Sequence, residues 1–363
     1  GGIHVRRSPF DSKVVDILFI DGDGRDLPPG KTQSIERLFS REDFPRAGPD
    51  GTGDVNFPTR VVESYREHFL AETDRETIRG RRFNLVVDFA YGTTIAVLPD
   101  LLGALRADIV SLNAYAAPGR LSRTEEEFQE SLDRLGGIVR SIRADLGLWI
   151  DPGGEVLHLV DDAGRPLASE LLQLLFVDLA MEHLDVRRVA LPVTSAGAVP
   201  RLVQERGGDV IWTKTEHHAM MASAERVDMV AGARGEFIFP RFQPAYDGMY
   251  TAVQLLAALG RAAAPLSSLA DRHAAMYIRQ ERVACPWGRK GTVMRRLMQE
   301  TEHEDRQLVD GVKVWKGDGE WALIIPHSDK PYFVVTVEGR DEAGAEALLD
   351  RYAGLVAIWR DET

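Results

Sequence analysis

The chain has 363 residues, 44% hydrophobic and 28% charged, which is too apolar for disorder and long enough for several cores. Its 44 Lys and Arg against 56 Asp and Glu give a net charge of −12, which argues against nucleic acid or an anionic membrane as the main partner. A single cysteine, Cys285, excludes an internal disulfide, and no apolar run approaches the ~18–20 residues of a membrane span, so a soluble, cytoplasmic, multidomain protein is expected.

The first 43 residues read as a strand (3–5), a second strand (14–20), the turn Asp21-Gly22-Asp23-Gly24 and a helix over 32–40. Glycines and prolines make 44–58 a loop, and a helical period follows over 59–73. From residue 83 strands and helices alternate. Strands are predicted at 83–88, 108–112, 146–150 and 156–160, with helices at 93–105 and 124–143. A second cycle places helices at 167–183, 198–206 and 247–262, and strands at 189–193, 209–213, 229–233 and 237–239. Such alternation implies βαβ units and mainly parallel sheets. The tail differs: a helix at 291–301, strands at 312–315, 321–325 and 332–337, and a helix at 343–358 form a small α+β unit.

Several isolated features have plain structural explanations. Asp21 to Asp26 lacks the glycine and glutamate spacing of an EF-hand and reads as a turn. His217 and His218 are neighbours that point apart on a helix, so a surface or cleft-lining pair is expected rather than a metal site. Cys285 reads as a small buried residue, and helix 167–183 as core.

The phrase Val86-Val87-Asp88-Phe89-Ala90-Tyr91-Gly92, followed by Leu98-Pro99-Asp100-Leu101-Leu102, resembles the second domain of the α-D-phosphohexomutases, the phosphoglucomutases and phosphomannomutases. Ala144-Asp145-Leu146-Gly147, Thr194-Ser195, Asp247-Gly248 and Asp310-Gly311-Val312-Lys313-Val314 extend that similarity along the chain. The resemblance implies an α/β fold of successive α/β/α domains with mixed or parallel sheets and a C-terminal α+β domain. Its divisions are a partial first domain (1–75), a second (80–165), a third (166–268) and a fourth (275–363). Because the chain opens directly on Gly1-Gly2-Ile3, the first domain is expected to begin in mid-course.

In that family four loops surround a cleft, and each can be matched by residue. Ser8 falls on the phosphoserine position, followed by Pro9 and Phe10 where the family has His and Asn, with Arg6 and Arg7 before it as phosphate binders. Asp151 and Glu155 keep two of three metal carboxylates in the loop Asp151-Pro152-Gly153-Gly154-Glu155-Val156, which implies weak or absent Mg²⁺; a plain turn between strands is the other reading. The sugar loop has become Gly232-Ala233-Arg234-Gly235-Glu236, leaving Arg234 and Glu236 as its polar groups. The phosphate loop is Ile325-Pro326-His327-Ser328-Asp329-Lys330-Pro331, in which His327, Ser328 and Lys330 could hold an anion.

Since all four loops depart from the family pattern, the expectation is a catalytically degenerate module. It would bind a sugar phosphate or sugar nucleotide and support an upstream or fused sugar-1-phosphate nucleotidylyltransferase. Runs 1–8, 285–296 and 325–331 resemble modules fused to mannose-1-phosphate guanylyltransferase-like proteins. The alternatives are an active mutase working through Ser8 with a hexose bisphosphate primer, and a purely structural module that assembles a homo-oligomer.

Overall fold

The computed structural model describes residues 1–8, 13–51, 53–273, 275–317, 319–328 and 330–362. Strands β1 (Gly2–Arg7) and β2 (Val15–Ile20) form an antiparallel hairpin in which Arg6 lies opposite Asp16. Side chains alternate along a strand, so Arg6 and Arg7 face opposite ways. Arg7 shares its face with Ile3, Val5, Val15 and Ile17, all of them exposed.

Helix α1 (Pro29–Ser40) begins three residues before the predicted start, because proline fits the first turn, where its missing N–H is not needed. Helices α2 (Val61–Ala71) and α3 (Arg75–Arg81) follow. The sequence reading missed α3: it is a short helix with one buried apolar residue, Ile78, and is started by Asp74, whose side chain accepts the Thr77 N–H.

The next unit holds β3 (Asn84–Asp88), α4 (Leu98–Ala104), β4 (Asp108–Leu112), α5 (Glu125–Ile142), β5 (Leu146–Ile150) and β6 (Leu157–Val160). Its sheet runs β4-β3-β5-β6, with β6 antiparallel to β5. The single helix predicted over 93–105 is a 3₁₀ turn at Thr93–Ala96 followed by α4, because Pro99 restricts the residue before it and lacks an N–H. At α5 the sequence signal is complete: Thr124 and Glu127 exchange side-chain-to-backbone bonds in a capping box.

The third unit contains α6 (Ser169–His183), β7 (Arg188–Pro192), α7 (Ala198–Glu205), β8 (Asp209–Thr213), α8 (His217–Ser223), β9 (Met229–Ala231), β10 (Phe237–Ile238), α9 (Gly248–Ala262) and α10 (Leu266–Ala270). Its sheet runs β10-β9-β7-β8, parallel except for the β9–β10 pair. Helix α6 is apolar nearly all round and buries nine residues, as a helix enclosed by other elements must. One continuous core joins these two units, from Phe89 and Leu148 to Phe176 and Leu255, and takes in Phe69 and Ile78 of α2 and α3.

The last unit is wholly antiparallel, in the order β11-β15-β14-β13-β12, from β11 (Tyr277–Ala284), α11 (Trp287–Glu300), β12 (Asp305–Gln307), β13 (Val312–Gly317), β14 (Glu320–Pro326), β15 (Tyr332–Gly339) and α12 (Glu342–Asp361). Strand β11 gave no apolar alternation to read. It is an edge strand with an exposed Arg279-Gln280-Glu281-Arg282 run, held by its pairing with β15. Cys285 is buried in this unit's core beside Val293 and Phe333. No described helix is long and apolar enough to cross a membrane.

Candidate active site

Strand β5 ends at Ile150, and the chain turns back to β6 through residues 151–156. Asp151 organises that turn. Its Oδ1 accepts the N–H groups of Glu155 (2.6 Å) and Val156 (2.7 Å), and its Oδ2 accepts that of Gly153 (3.0 Å). Burial pushes the Asp151 carboxyl up, and those three N–H groups pull the other way. Gly92 is needed beside this loop, since a Cβ there would come within 2.6 Å of the Pro152 Cα.

The loop that follows β9 is stitched to the first. Val156 bridges Glu236, the Leu157 N–H donates to the Gly235 carbonyl at 2.9 Å, and the Gly248 N–H donates to Gly154 at 2.6 Å. Glu236 is only 4% exposed, and its carboxylate accepts the Arg234 N–H at 2.8 Å. The Arg234 guanidinium is 69% exposed at its side chain and pairs loosely with Glu236 at 3.4 Å. Of the two expected sugar-loop groups, one therefore shapes the loop and the other faces solvent.

Ser8 closes β1 and is 7% exposed. Its N–H donates to Val14 at 3.0 Å, and the Ser122 hydroxyl donates to its carbonyl. Arg6, two positions earlier, donates from Nη1 to Glu155 at 3.0 Å and lies 3.7 Å from Asp16. Burial works against the Arg6 charge, but Glu155, Asp151 and Asp16 outweigh it and hold its pKa above the ordinary arginine value. Serine, metal-loop and sugar-loop segments are thus joined in one place, while Arg7 points away from them.

Residues that share no sequence pattern also gather here. The turn at 21–26 rests on α8: the Asp26 N–H meets the Met221 sulfur at 3.4 Å, and Arg25 pairs with Glu225 at 2.5 Å. The Asp26 carboxyl is raised by burial, with His217, Glu155, His218 and Arg6 acting on it. Tyr246 packs its ring against His217 at 4.9 Å, and its buried hydroxyl has no hydrogen-bond partner among the described residues. His217 thus lines the site, within the expectation of a surface or cleft-lining residue.

The fourth loop is held within its own unit. The His327 N–H donates to the Tyr332 carbonyl, and the Lys290 ammonium donates to the carbonyls of His327 (2.5 Å) and Lys330 (2.7 Å). Ser328 and Lys330 are exposed. Pro9, Phe10 and Asp329 lie outside the described residues.

For Mg²⁺ the available donors are two carboxylates. Both Asp151 oxygens accept backbone N–H groups, Glu155 is bonded to Arg6, and no third His, Cys, Asp or Glu joins them among the described residues. Magnesium takes oxygens at ~2.0–2.1 Å in near-octahedral order, and this arrangement, with a guanidinium already against it, does not fit that ion.

Comparison with known proteins identifies the family. Residues 63–164 match the family model for the phosphoglucomutase/phosphomannomutase alpha/beta/alpha domain II, and residues 169–277 match that for domain III. A protein named "Probable phosphoglucosamine mutase" from Methanopyrus kandleri is 27% identical over 98% of this chain and 78% of its own length. The phosphoglucosamine mutase of Methanococcus maripaludis strain C7 is 24% identical over 98% of this chain and 80% of its own. A phosphoglucomutase/phosphomannomutase family protein from Burkholderia thailandensis has the same fold, with a TM-score of 0.81, 18% identity and coverage of 99% of this chain and 77% of that one. An Aspergillus fumigatus N-acetylphosphoglucosamine mutase, solved with GlcNAc-6P and magnesium, shares the fold more distantly, with a TM-score of 0.59, 14% identity and coverage of 85% and 68%. Relatives named as mutases over nearly the whole chain overturn the expectation of a degenerate regulatory module, and they lend no support to a nucleotidylyltransferase partner. The chain belongs to the phosphoglucomutase/phosphomannomutase family, the α-D-phosphohexomutases.

Proposed function

We propose that this chain is an active phosphohexomutase that moves a phosphoryl group between O1 and O6 of a hexose phosphate, with Ser8 as the carrier. The observation that carries the reading is the placement of Ser8: buried at the end of β1, tied to Ser122 of the second unit, and two residues from the Arg6–Glu155 pair. A serine that merely opened a surface turn would need none of those contacts.

In the first half-reaction the P–O bond to Ser8 breaks as one to the free sugar hydroxyl forms, and the hydroxyl's proton ends on Ser8. The bisphosphate then turns over, and the second half-reaction returns the other phosphoryl group to the serine. Splitting one difficult transfer in this way is the use of a covalent carrier. The names of the relatives make glucosamine phosphate the first substrate to try.

A phosphorus NMR time course with glucosamine 6-phosphate or glucose 1-phosphate, primed with the matching hexose 1,6-bisphosphate, tests the reading. Conversion by the wild type that disappears in Ser8→Ala is the expected result. Equal conversion by both proteins, or none by the wild type, overturns it.

A further inference from the structure

The disagreement between the carboxylates and a magnesium site has a specific cause. Arg6 Nη1 stands 3.0 Å from Glu155, and a Cβ placed on Gly153 would lie 3.2 Å from that Nη1 and 3.0 Å from Asp151 Oδ2. The guanidinium and the Asp151 carboxylate therefore flank the space that Gly153 leaves by having no side chain. Asp16, opposite Arg6 across the hairpin, adds a third negative charge at 3.7 Å.

We propose that the Arg6 guanidinium is the resident cation of this site, standing where a divalent ion would otherwise neutralise charge beside Ser8, so that phosphoryl transfer here needs no divalent metal. The second clause rests on the mutase reading; the first does not.

Three features support the assignment. Strand alternation turns Arg6 toward the carboxylates and Arg7 away, so one cation is delivered and not two. The three backbone N–H groups on Asp151 leave its oxygens little capacity for a close metal shell, whereas the guanidinium needs none of that capacity: it donates to Glu155 and meets Asp151 through charge alone. The Arg6 Nε is buried and makes no hydrogen bond among the described residues; Asp16 Oδ2 stands 3.7 Å from it, beyond hydrogen-bonding range, so its N–H is a donor that a phosphoryl oxygen can take. Arginine also keeps its proton at any pH at which the protein is folded, so this charge, unlike a bound ion, cannot be chelated away.

The test combines metal binding with turnover. Manganese(II), read by the loss of its free electron paramagnetic resonance signal, probes the carboxylates directly. Wild type is expected to leave the signal unchanged. Arg6→Ala, with Arg6→Gln as a second variant that keeps most of the stem, is expected to bind the ion and to lose it again when Asp151→Asn is added. Wild-type binding that Asp151→Asn abolishes overturns the proposal, as does an Arg6→Ala protein, folded by circular dichroism, that still ignores manganese. In the phosphorus assay wild-type conversion should be the same in EDTA and in Mg²⁺. Arg6→Ala should fall by roughly a hundredfold in EDTA, the scale of losing one preorganised charge donor, and recover in part with Mg²⁺. Wild-type conversion that stops in EDTA and returns with Mg²⁺ overturns the metal-free clause. Silence under both conditions removes the mutase reading instead, and the manganese result still decides whether Arg6 is the cation.

Discussion

Arg6 and Lys313 are two cations drawn away from water, and their surroundings push them in opposite directions. Around Arg6 stand Glu155, Asp151 and Asp16, and its charge is held more firmly than in solution. Lys313 is fully buried in β13, with its ammonium 3.8 Å from the Trp321 ring, 4.4 Å from Trp315 and 5.2 Å from Trp212. It donates to the carbonyls of Val193 (2.7 Å) and Ser195 (3.2 Å), across the junction between the third and fourth units. Burial pulls its pKa down to about 7, with Glu338 opposing. Aromatic faces and carbonyls attract a cation, but they replace lost hydration less well than carboxylates do. The first site therefore keeps a permanent charge, whereas the second holds one that neutral pH can remove. The first suits phosphate chemistry; the second suits a joint between units.

The largest effect that would break this contrast is loss of the cage. Trp321 is fully buried, and its Nε1–H donates to Glu338 at 2.5 Å while Glu338 also accepts the Gly197 N–H at 2.6 Å. Trp321→Ala should cost about 3–5 kcal/mol in denaturant unfolding. A change of under 1 kcal/mol would mean that the cage contributes nothing to the junction.

The next effect is a pH dependence. Between about 7 and the usual lysine value, the unfolded chain holds a proton on residue 313 that the folded chain lacks. Stability therefore rises with pH across that window, by up to about 1.4 kcal/mol per unit from this group alone. Lys313→Met should flatten the rise, as followed by urea unfolding at pH 7, 8 and 9. An unchanged slope in the variant would assign the rise to other groups.

Smaller is the effect of Asp151→Asn. An amide can still accept some of the three N–H bonds of its loop but loses their charge assistance, so a loss of about 1–2 kcal/mol is expected by thermal or urea unfolding. The smallest belongs to Arg234→Ala. Its exposed guanidinium pairs with Glu236 at 3.4 Å, and stability should move by less than about 1 kcal/mol. A larger loss would show that this exposed arginine is as structural as the half-buried Arg6.

Some of the chemistry was readable in advance. Thr124 and Glu127 announced α5 by their spacing, and the resemblance singled out Ser8, Asp151 and Glu155 as candidates because each sits in a short local pattern. Other residues left no such trace. Asp26, His217 and Tyr246 are far apart in the chain and meet because the 21–26 turn rests on α8. Strand β11 was invisible because an edge strand with a polar, exposed run lacks the alternation that marks a half-buried one. Glu236 looked like a ligand group and proves to bind its own loop, a distinction that rests on burial.

By itself the sequence determined the succession of βαβ units, the antiparallel tail and the positions of the loops that close them, because periodicity, caps and turn residues act over a few neighbours. Tertiary structure decided how those loops are used. It turned Arg6 inward and Arg7 outward, set a guanidinium against the Asp151 and Glu155 loop, and enclosed Lys313 among three tryptophans. A charge takes its strength from every group within a few ångströms, and most of those groups lie a hundred or more residues away along the chain.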